Sequence, residues 1–217
     1  MNIEQARFNM IEQQIRPWDV LDSSVLSLLA EVRREDFVPE AHRALAFMDL
    51  EVPLPEGQSM LAPKVEARLL QELAVHKHER VLEIGAGSGY MAALLAHKAQ
   101  HVTTLEIRPA LARYAAERLR RAAVTNAEVL EADGVQGLPE RAPFDVILLS
   151  GSVSAVPQAL LDQLKTGGRL AAIVGQEPVM RAVLGRRSAP DAFHRVELFD
   201  TVAPRLQGFG EPSAFSF

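Results

Sequence analysis

From position 80 onward, short apolar runs alternate with longer segments in which apolar residues recur at helical spacing. The pattern predicts strands at 81–84, 101–106, 127–131, 144–149 and 169–174, with helices at 91–97, 109–122 and 157–164. Strands that are separated by helices pair in parallel and are buried on both faces. The chain is therefore predicted to adopt an α/β fold with a doubly wound, mostly parallel sheet.

The first part of the chain has a different pattern. Apolar spacing predicts helices at 4–15 and 23–31, and prolines between 37 and 63 leave room for one short helix at 41–47. A further helix begins at Pro63 and continues to 73. We expect residues 1–63 to form an N-terminal helical cap with a substrate loop and residues 64–217 to form a cofactor-binding domain.

The last segments are predicted to close the sheet. The stretch 185–191 is rich in Gly, Arg, Ser and Pro and is interpreted as a connection. The run 193–202 alternates as a strand does, and we expect it to pair antiparallel at the sheet edge.

Composition limits the possible functions. The 217 residues are 48% hydrophobic and carry a formal net charge of −5, so a core can form and no global positive field favours nucleic acid. Cysteine is absent, which excludes disulfides and thiolate metal sites and favours a reducing cytoplasm. We expect no signal peptide and no membrane span, because no apolar run is long enough for either. We also expect no metal site, because His76 and His78 are two residues apart and cannot share a helix face.

Three glycines occupy alternate positions between a predicted strand and a predicted helix. Gly85, Gly87 and Gly89 can adopt positive φ and let a ligand approach the backbone at the start of a helix. A dinucleotide fingerprint requires its third glycine at position 90, where this chain has Tyr90. The spacing therefore does not favour a pyrophosphate ligand.

Acidic residues stand at the ends of three successive predicted strands: Glu83, Glu106, and Asp133 followed by Gly134. Singly, each could be a helix cap or a turn residue, but together they indicate one ligand crevice at the carboxyl edge of the sheet. The spacing Glu-x-Gly-x-Gly-x-Gly resembles the first motif of class I S-adenosylmethionine-dependent methyltransferases. That resemblance implies S-adenosyl-L-methionine as cofactor, with Glu83 at its amino-acid end, Glu106 at the ribose hydroxyls, and Asp133 and Gly134 near the adenine.

A closer resemblance extends over most of the chain. The segments 34–39 (Arg-Glu-Asp-Phe-Val-Pro), 49–63 and 156–170 resemble the protein-L-isoaspartate O-methyltransferase family. The last of them, with Gln-Leu-Lys-Thr-Gly-Gly-Arg-Leu, is the most specific. Membership would imply esterification of the isoaspartyl carboxylate of damaged proteins, after which the methyl ester collapses to a succinimide and repair begins.

The acceptor side departs from the family pattern. Ser59 keeps the first hydroxyl of the family loop and is the expected catalytic residue, but Leu61 replaces the second serine. Pro204 and Arg205 stand where the family has Phe-Val-Pro-Leu, so the resemblance implies substrate binding by Leu61, Pro204 and Arg205. A carboxylate acceptor is ionised at neutral pH and needs no general base. Two alternatives stay open: a methyltransferase with another acceptor, and a non-catalytic protein that binds the cofactor.

Overall fold

A computed structural model describes residues 2–210. Its N-terminal part contains α1 (Ile3–Met10), a π-helical turn (Ile11–Ile15), α2 (Ser23–Glu31), a 3-10 helix (Glu40–Leu45) and the hairpin strands β1 (Val52–Pro53) and β2 (Ser59–Met60). The rest contains α3 (Pro63–Leu73), β3 (Arg80–Ile84), α4 (Tyr90–Lys98), β4 (His101–Glu106), α5 (Pro109–Arg121), β5 (Ala127–Glu131), β6 (Phe144–Val153), α6 (Gln158–Asp162), β7 (Leu164–Gln176), β8 (Val179–Ala189) and β9 (Ala192–Thr201).

The seven-stranded sheet confirms the predicted fold class. Its strand order is β5-β4-β3-β6-β7-β8-β9, in which β3 to β7 run parallel and β8 and β9 run antiparallel. The order of strands reverses between β3 and β6, and ligands of open α/β sheets bind at the carboxyl ends of the strands next to such a reversal. The predicted antiparallel edge strand is also confirmed, as β9.

The interpretation of 185–191 as a connection was wrong for most of its length, because 185–189 belong to a strand and only 190 and 191 form a turn. The structure instead has the strand β8, which pairs with β7 on one side and with β9 on the other. Met180, Ala182 and Leu184 are buried, and exposed Arg181 separates the first two. The strand pattern thus begins upstream of Gly185, and hydrogen bonds to two neighbouring strands hold the glycine- and arginine-rich part in an extended conformation.

The N-terminal segment packs directly onto the sheet domain. One continuous cluster of buried side chains includes Met10 and Ile15 from the cap and Val81 and Ala171 from the sheet. A shared core thus joins the two parts. The domain boundary at residue 63 stays a prediction from the sequence. Within residues 2–210, no helix has the length and apolar character needed to cross a membrane.

Candidate active site

The main crevice lies at the carboxyl edge of β3, β4 and β6, where the strand order reverses. Segments 58–61, 83–88, 105–108 and 204–207 line it, together with Glu66 from α3 and Ser150 from β6. It thus brings the predicted glycine loop and the predicted acceptor segments to one place.

The glycine loop has the positive φ angles that its sequence predicts. Gly85, Gly87 and Gly89 have φ of 93°, 51° and 82°. A Cβ added at Gly85 would lie 2.8 Å from the Leu206 side chain, so both the backbone angle and the space require glycine there. Gly85 and Gly87 line the crevice, and Gly89 does not. A Cβ on Gly89 would lie 3.1 Å from the carbonyl oxygen of Ala115, so this glycine allows α4 and α5 to approach closely.

Glu106 joins the end of β4 to the glycine loop. Its Oε2 accepts a hydrogen bond from the Gly87 N–H at 2.9 Å, and its Oε1 accepts one from the Arg108 N–H at 3.1 Å. The residue is buried and lines the crevice. Each carboxylate oxygen has two acceptor sites, so ligand hydroxyls can still bind to this group.

Asp133 and Gly134 occupy different environments although they are adjacent. Gly134 lines the crevice, and a Cβ there would overlap the side chain of Ile84. Asp133 is outside the lining, and its Oδ1 accepts a hydrogen bond from the Val135 N–H at 3.0 Å. Gly134 therefore faces the crevice, whereas Asp133 holds the turn that follows β5.

Glu83 is a buried acid near the end of β3 that lines the crevice. Its side chain is fully buried, and Oε1 accepts a hydrogen bond from the Ser150 hydroxyl at 2.6 Å. Its Oε2 is buried and accepts no hydrogen bond within 3.5 Å among residues 2–210, and the nearby Thr104 hydroxyl, with that of Ser150, opposes the rise in the pKa of Glu83 that burial causes. Burial raises the pKa of Glu83 to about 7, because the charged form loses hydration. A carboxylate held in this way suits a cationic ligand, such as the ammonium and sulfonium groups of S-adenosylmethionine.

Glu66 was not among the predicted site residues, although it also lines the crevice. Burial raises its pKa to about 7 against the opposing effect of Arg34, with which it forms an ion pair. Its position was recognisable in the sequence, because Glu66 stands three, four and seven residues before Leu69, Leu70 and Leu73 and so lies on the apolar face of α3. Apolar spacing identifies the buried face of a helix but does not single out an acidic residue on that face.

The acceptor residues named from the sequence meet in the same crevice. Ser59, Leu61, Pro204 and Arg205 all line it. Pairing with the end of β6 holds the segment after β9, since the Ser152 N–H donates to the Pro204 carbonyl at 2.7 Å. Arg205 lies beside this pairing and donates from Nη2 to the Gly175 carbonyl at 2.8 Å. Ser59 and Arg205 therefore line the same space as the cofactor loop.

Comparison with known proteins finds one matching family and similar relatives within it. The family model described as protein-L-isoaspartate(D-aspartate) O-methyltransferase matches residues 5–197. The chain is 44% identical over 171 residues to the protein-L-isoaspartate O-methyltransferase of Methanoculleus marisnigri, covering 79% of this chain and 78% of that protein. It is 38% identical over 198 residues to protein-L-isoaspartate O-methyltransferase 1 of Syntrophobacter fumaroxidans, covering 91% and 92%.

A solved structure shares the fold. A Plasmodium falciparum protein in complex with S-adenosyl-L-homocysteine superposes with a TM-score of 0.79 at 21% identity, covering 95% of this chain and 99% of that one.

Proposed function

The chain belongs to the protein-L-isoaspartate(D-aspartate) O-methyltransferase family, and on that basis we propose a role for each residue of the crevice in methyl transfer. Family membership makes the protein an S-adenosylmethionine-dependent O-methyltransferase of isoaspartyl residues in proteins, which confirms the resemblance found in the sequence. It does not favour the two alternatives, a different acceptor or a non-catalytic binding protein. The cytoplasmic location and the lack of a nucleic-acid partner stay predictions.

The cofactor half of the crevice fits S-adenosylmethionine, which supplies the methyl group when bound. The buried Oε2 of Glu83 supports this assignment, because the ionised form of a carboxyl group that lines a pocket is costly unless a cationic ligand meets it. We assign Glu83 to the amino-acid end, Gly85 and Gly87 to close backbone contact, and Glu106 to the ribose hydroxyls. Gly134 provides space for the adenine, while Asp133 and Gly89 act through the turn and the helix that they begin.

The acceptor half must hold a carboxylate in line with the methyl group. An isoaspartyl carboxylate is already ionised at neutral pH, so the site needs hydrogen-bond donors that orient it and does not need a base. We assign Ser59 and Arg205 as those donors and Pro204 as the residue that holds Arg205 in place. Leu61 has no side-chain donor, and its buried side chain helps to exclude water from the reacting groups.

Methyl transfer to a matched pair of peptides tests this function. The protein is expected to methylate a peptide that contains isoaspartate and to leave the peptide with ordinary aspartate at the same position unmodified. Calorimetry is expected to detect binding of S-adenosylmethionine and S-adenosylhomocysteine and little binding of NAD. Cofactor binding without transfer to the isoaspartyl peptide would contradict the assignment of the acceptor, and tighter binding of NAD would contradict that of the cofactor.

A further inference from the structure

The guanidinium of Arg34 lies at the junction of the cap and the active site and is completely buried. Its Nε donates to the carbonyl of Ala46 at 3.0 Å, and its Nη2 donates to the carbonyl of Leu61 at 2.6 Å. Its Nη1 pairs with the carboxylate of Glu66. One side chain thereby holds the cap, the acceptor loop and the helix that follows this loop.

Arg34 also contacts the cofactor side of the fold. Its guanidinium carbon lies 5.2 Å from the centre of the Tyr90 ring, within the range of a cation–π interaction. Tyr90 is buried and is the first residue of α4, directly after the glycine loop. The position of the acceptor loop is thus coupled to the start of the helix that carries the cofactor loop.

Stability alone does not account for this arrangement. A buried ion pair contributes little net stability compared with apolar residues of similar volume, because both charges lose their hydration. A guanidinium provides a rigid fork of donors whose directions are fixed relative to each other. The guanidinium of Arg34 donates to the main chain of the acceptor loop and also to a carboxylate that lines the crevice.

The carboxylate that Arg34 holds is close enough to Glu83 to affect it. Both acids line the crevice, and the charge of Glu66 contributes to the raised pKa of Glu83. S-adenosylmethionine carries a positive sulfonium, whereas S-adenosylhomocysteine has a neutral thioether at the same place. A negative charge at Glu66 would therefore favour the cofactor over its product.

We propose that Arg34 is a positioning residue for methyl transfer, which fixes the acceptor loop through the Leu61 carbonyl and holds the Glu66 carboxylate at the wall of the crevice that binds the cofactor. This inference rests on the proposed function, since it assigns a task within the same crevice. It adds a specificity element, because Glu66 distinguishes the charged cofactor from the neutral product.

The first test compares Arg34→Lys with Arg7→Lys. Arg7 is a matched control because it forms a buried ion pair with Glu35 in the same cap and does not line the crevice. Lysine retains the charge and loses the fork, so Arg34→Lys is expected to raise the KM for the isoaspartyl peptide by about five-fold or more. Its affinity for S-adenosylhomocysteine is expected to stay within about two-fold of wild type, and Arg7→Lys is expected to keep wild-type kinetics. Equal kinetic effects of both variants, or no kinetic effect of Arg34→Lys, would show that Arg34 is merely structural.

The second test uses Glu66→Gln, which retains the shape of the side chain. It measures ligand binding and does not depend on catalysis. Calorimetry is expected to show a loss of affinity for S-adenosylmethionine of about three- to ten-fold relative to the loss for S-adenosylhomocysteine. Equal changes for the two ligands would overturn the role of Glu66. If the wild type fails to methylate the isoaspartyl peptide, the proposed acceptor is wrong, and the ratio of the two affinities still decides the role of Glu66.

Discussion

The Ser150 hydroxyl donates a hydrogen bond of 2.6 Å to Oε1 of Glu83 and orients a carboxylate that has no cationic side-chain partner among the described residues. The bond joins the end of β6 to the end of β3, the two strands between which the strand order reverses. Burial raises the pKa of Glu83 to about 7. The carboxyl group is therefore poised between its protonated and ionised forms near neutral pH.

Cofactor affinity is accordingly expected to depend on pH. Only ionised Glu83 attracts the ammonium group at the amino-acid end of the ligand, and with a free-protein pKa of about 7 this residue alone should raise the affinity about ten-fold from about pH 6 to about pH 8. Calorimetry with S-adenosylmethionine measures this dependence. Glu83→Gln is expected to weaken binding and to reduce the slope, leaving the part that comes from Glu66, whose pKa is also raised to about 7. An affinity that does not change with pH in the wild type would rule out this role of Glu83.

The same raised pKa has a consequence for stability without cofactor. The folded state binds a proton on Glu83 more tightly than the unfolded chain, whose glutamate pKa is about 4.3. The free energy of unfolding is therefore expected to fall as pH rises from about 4.3 to about 7, and to level off above that. Urea unfolding of wild type and Glu83→Gln across this range measures the difference, and the glutamine variant is expected to lose less stability. An equal loss in both proteins would assign the pH dependence to other groups.

Gly87→Val is expected to abolish cofactor binding. Gly87 has a φ of 51°, its N–H donates to Glu106, and it lines the crevice, so a branched side chain would strain the loop, meet the Leu54 side chain and displace the backbone that lines the crevice. Gly167→Val is the matched control, because Gly167 also has a positive φ, of 85°, and faces open space away from the crevice. Both variants are expected to lose about 1–2 kcal/mol of stability from backbone strain, and only Gly87→Val should lose binding. Equal affinity in the two variants would show that the loop does not hold the cofactor.

Most of the residues predicted for the cofactor side line one crevice, because the sequence signals that identify them are local. The glycine loop and the acids that follow successive strands can be recognised by spacing alone, and parallel pairing then brings the strand ends to one edge. The distinction between Gly87 and Gly89 could not be predicted in this way. It depends on Ala115 of α5, which packs against Gly89 where a Cβ would otherwise lie.

The Arg34–Glu66 pair shows what the sequence could not predict about the acceptor side. The two residues are separated by the proline-rich segment, and only the folded cap brings them together. Glu66 was detectable as an acid on an apolar helix face, but nothing local in the sequence indicates its partner. The strand β8 was missed for a related reason, since pairing on both sides maintains its extended conformation despite the residues from Gly185 onward.

Glu106→Gln is expected to weaken cofactor binding by about 1–3 kcal/mol. A glutamine has one acceptor oxygen in place of two and cannot satisfy the Gly87 N–H, the Arg108 N–H and the ribose hydroxyls together. Glu131→Gln is the control, because Glu131 lies opposite Glu106 at the end of the neighbouring strand β5, is exposed and does not line the crevice. Calorimetry gives the affinity and thermal unfolding gives the stability. Normal affinity together with earlier melting would mean that Glu106 only supports the glycine loop.

Leu61→Ser is expected to increase activity on isoaspartyl peptides. The serine restores the hydroxyl of the family loop, and one added donor to the acceptor carboxylate could raise kcat/KM by up to roughly ten-fold, equivalent to about 1.4 kcal/mol of transition-state stabilisation. Cofactor affinity should not change, because this donor faces only the acceptor. The Arg34 contact should also persist, since it uses the main-chain carbonyl of residue 61. Steady-state kinetics with the isoaspartyl peptide measures the gain.

Two further variants isolate the effect of the hydroxyl. Leu61 is buried in the main core cluster, so replacing it removes apolar packing and is expected to cost about 2–4 kcal/mol of stability whether serine or alanine takes its place. Leu61→Ala thus controls for the lost packing, and only Leu61→Ser should gain activity. Ser59→Ala removes the remaining hydroxyl and is expected to lower kcat/KM without affecting cofactor binding. If Leu61→Ser and Leu61→Ala have the same kcat/KM while Ser59→Ala is impaired, then Arg205 and Ser59 already hold the carboxylate, and a second hydroxyl has no group left to bind.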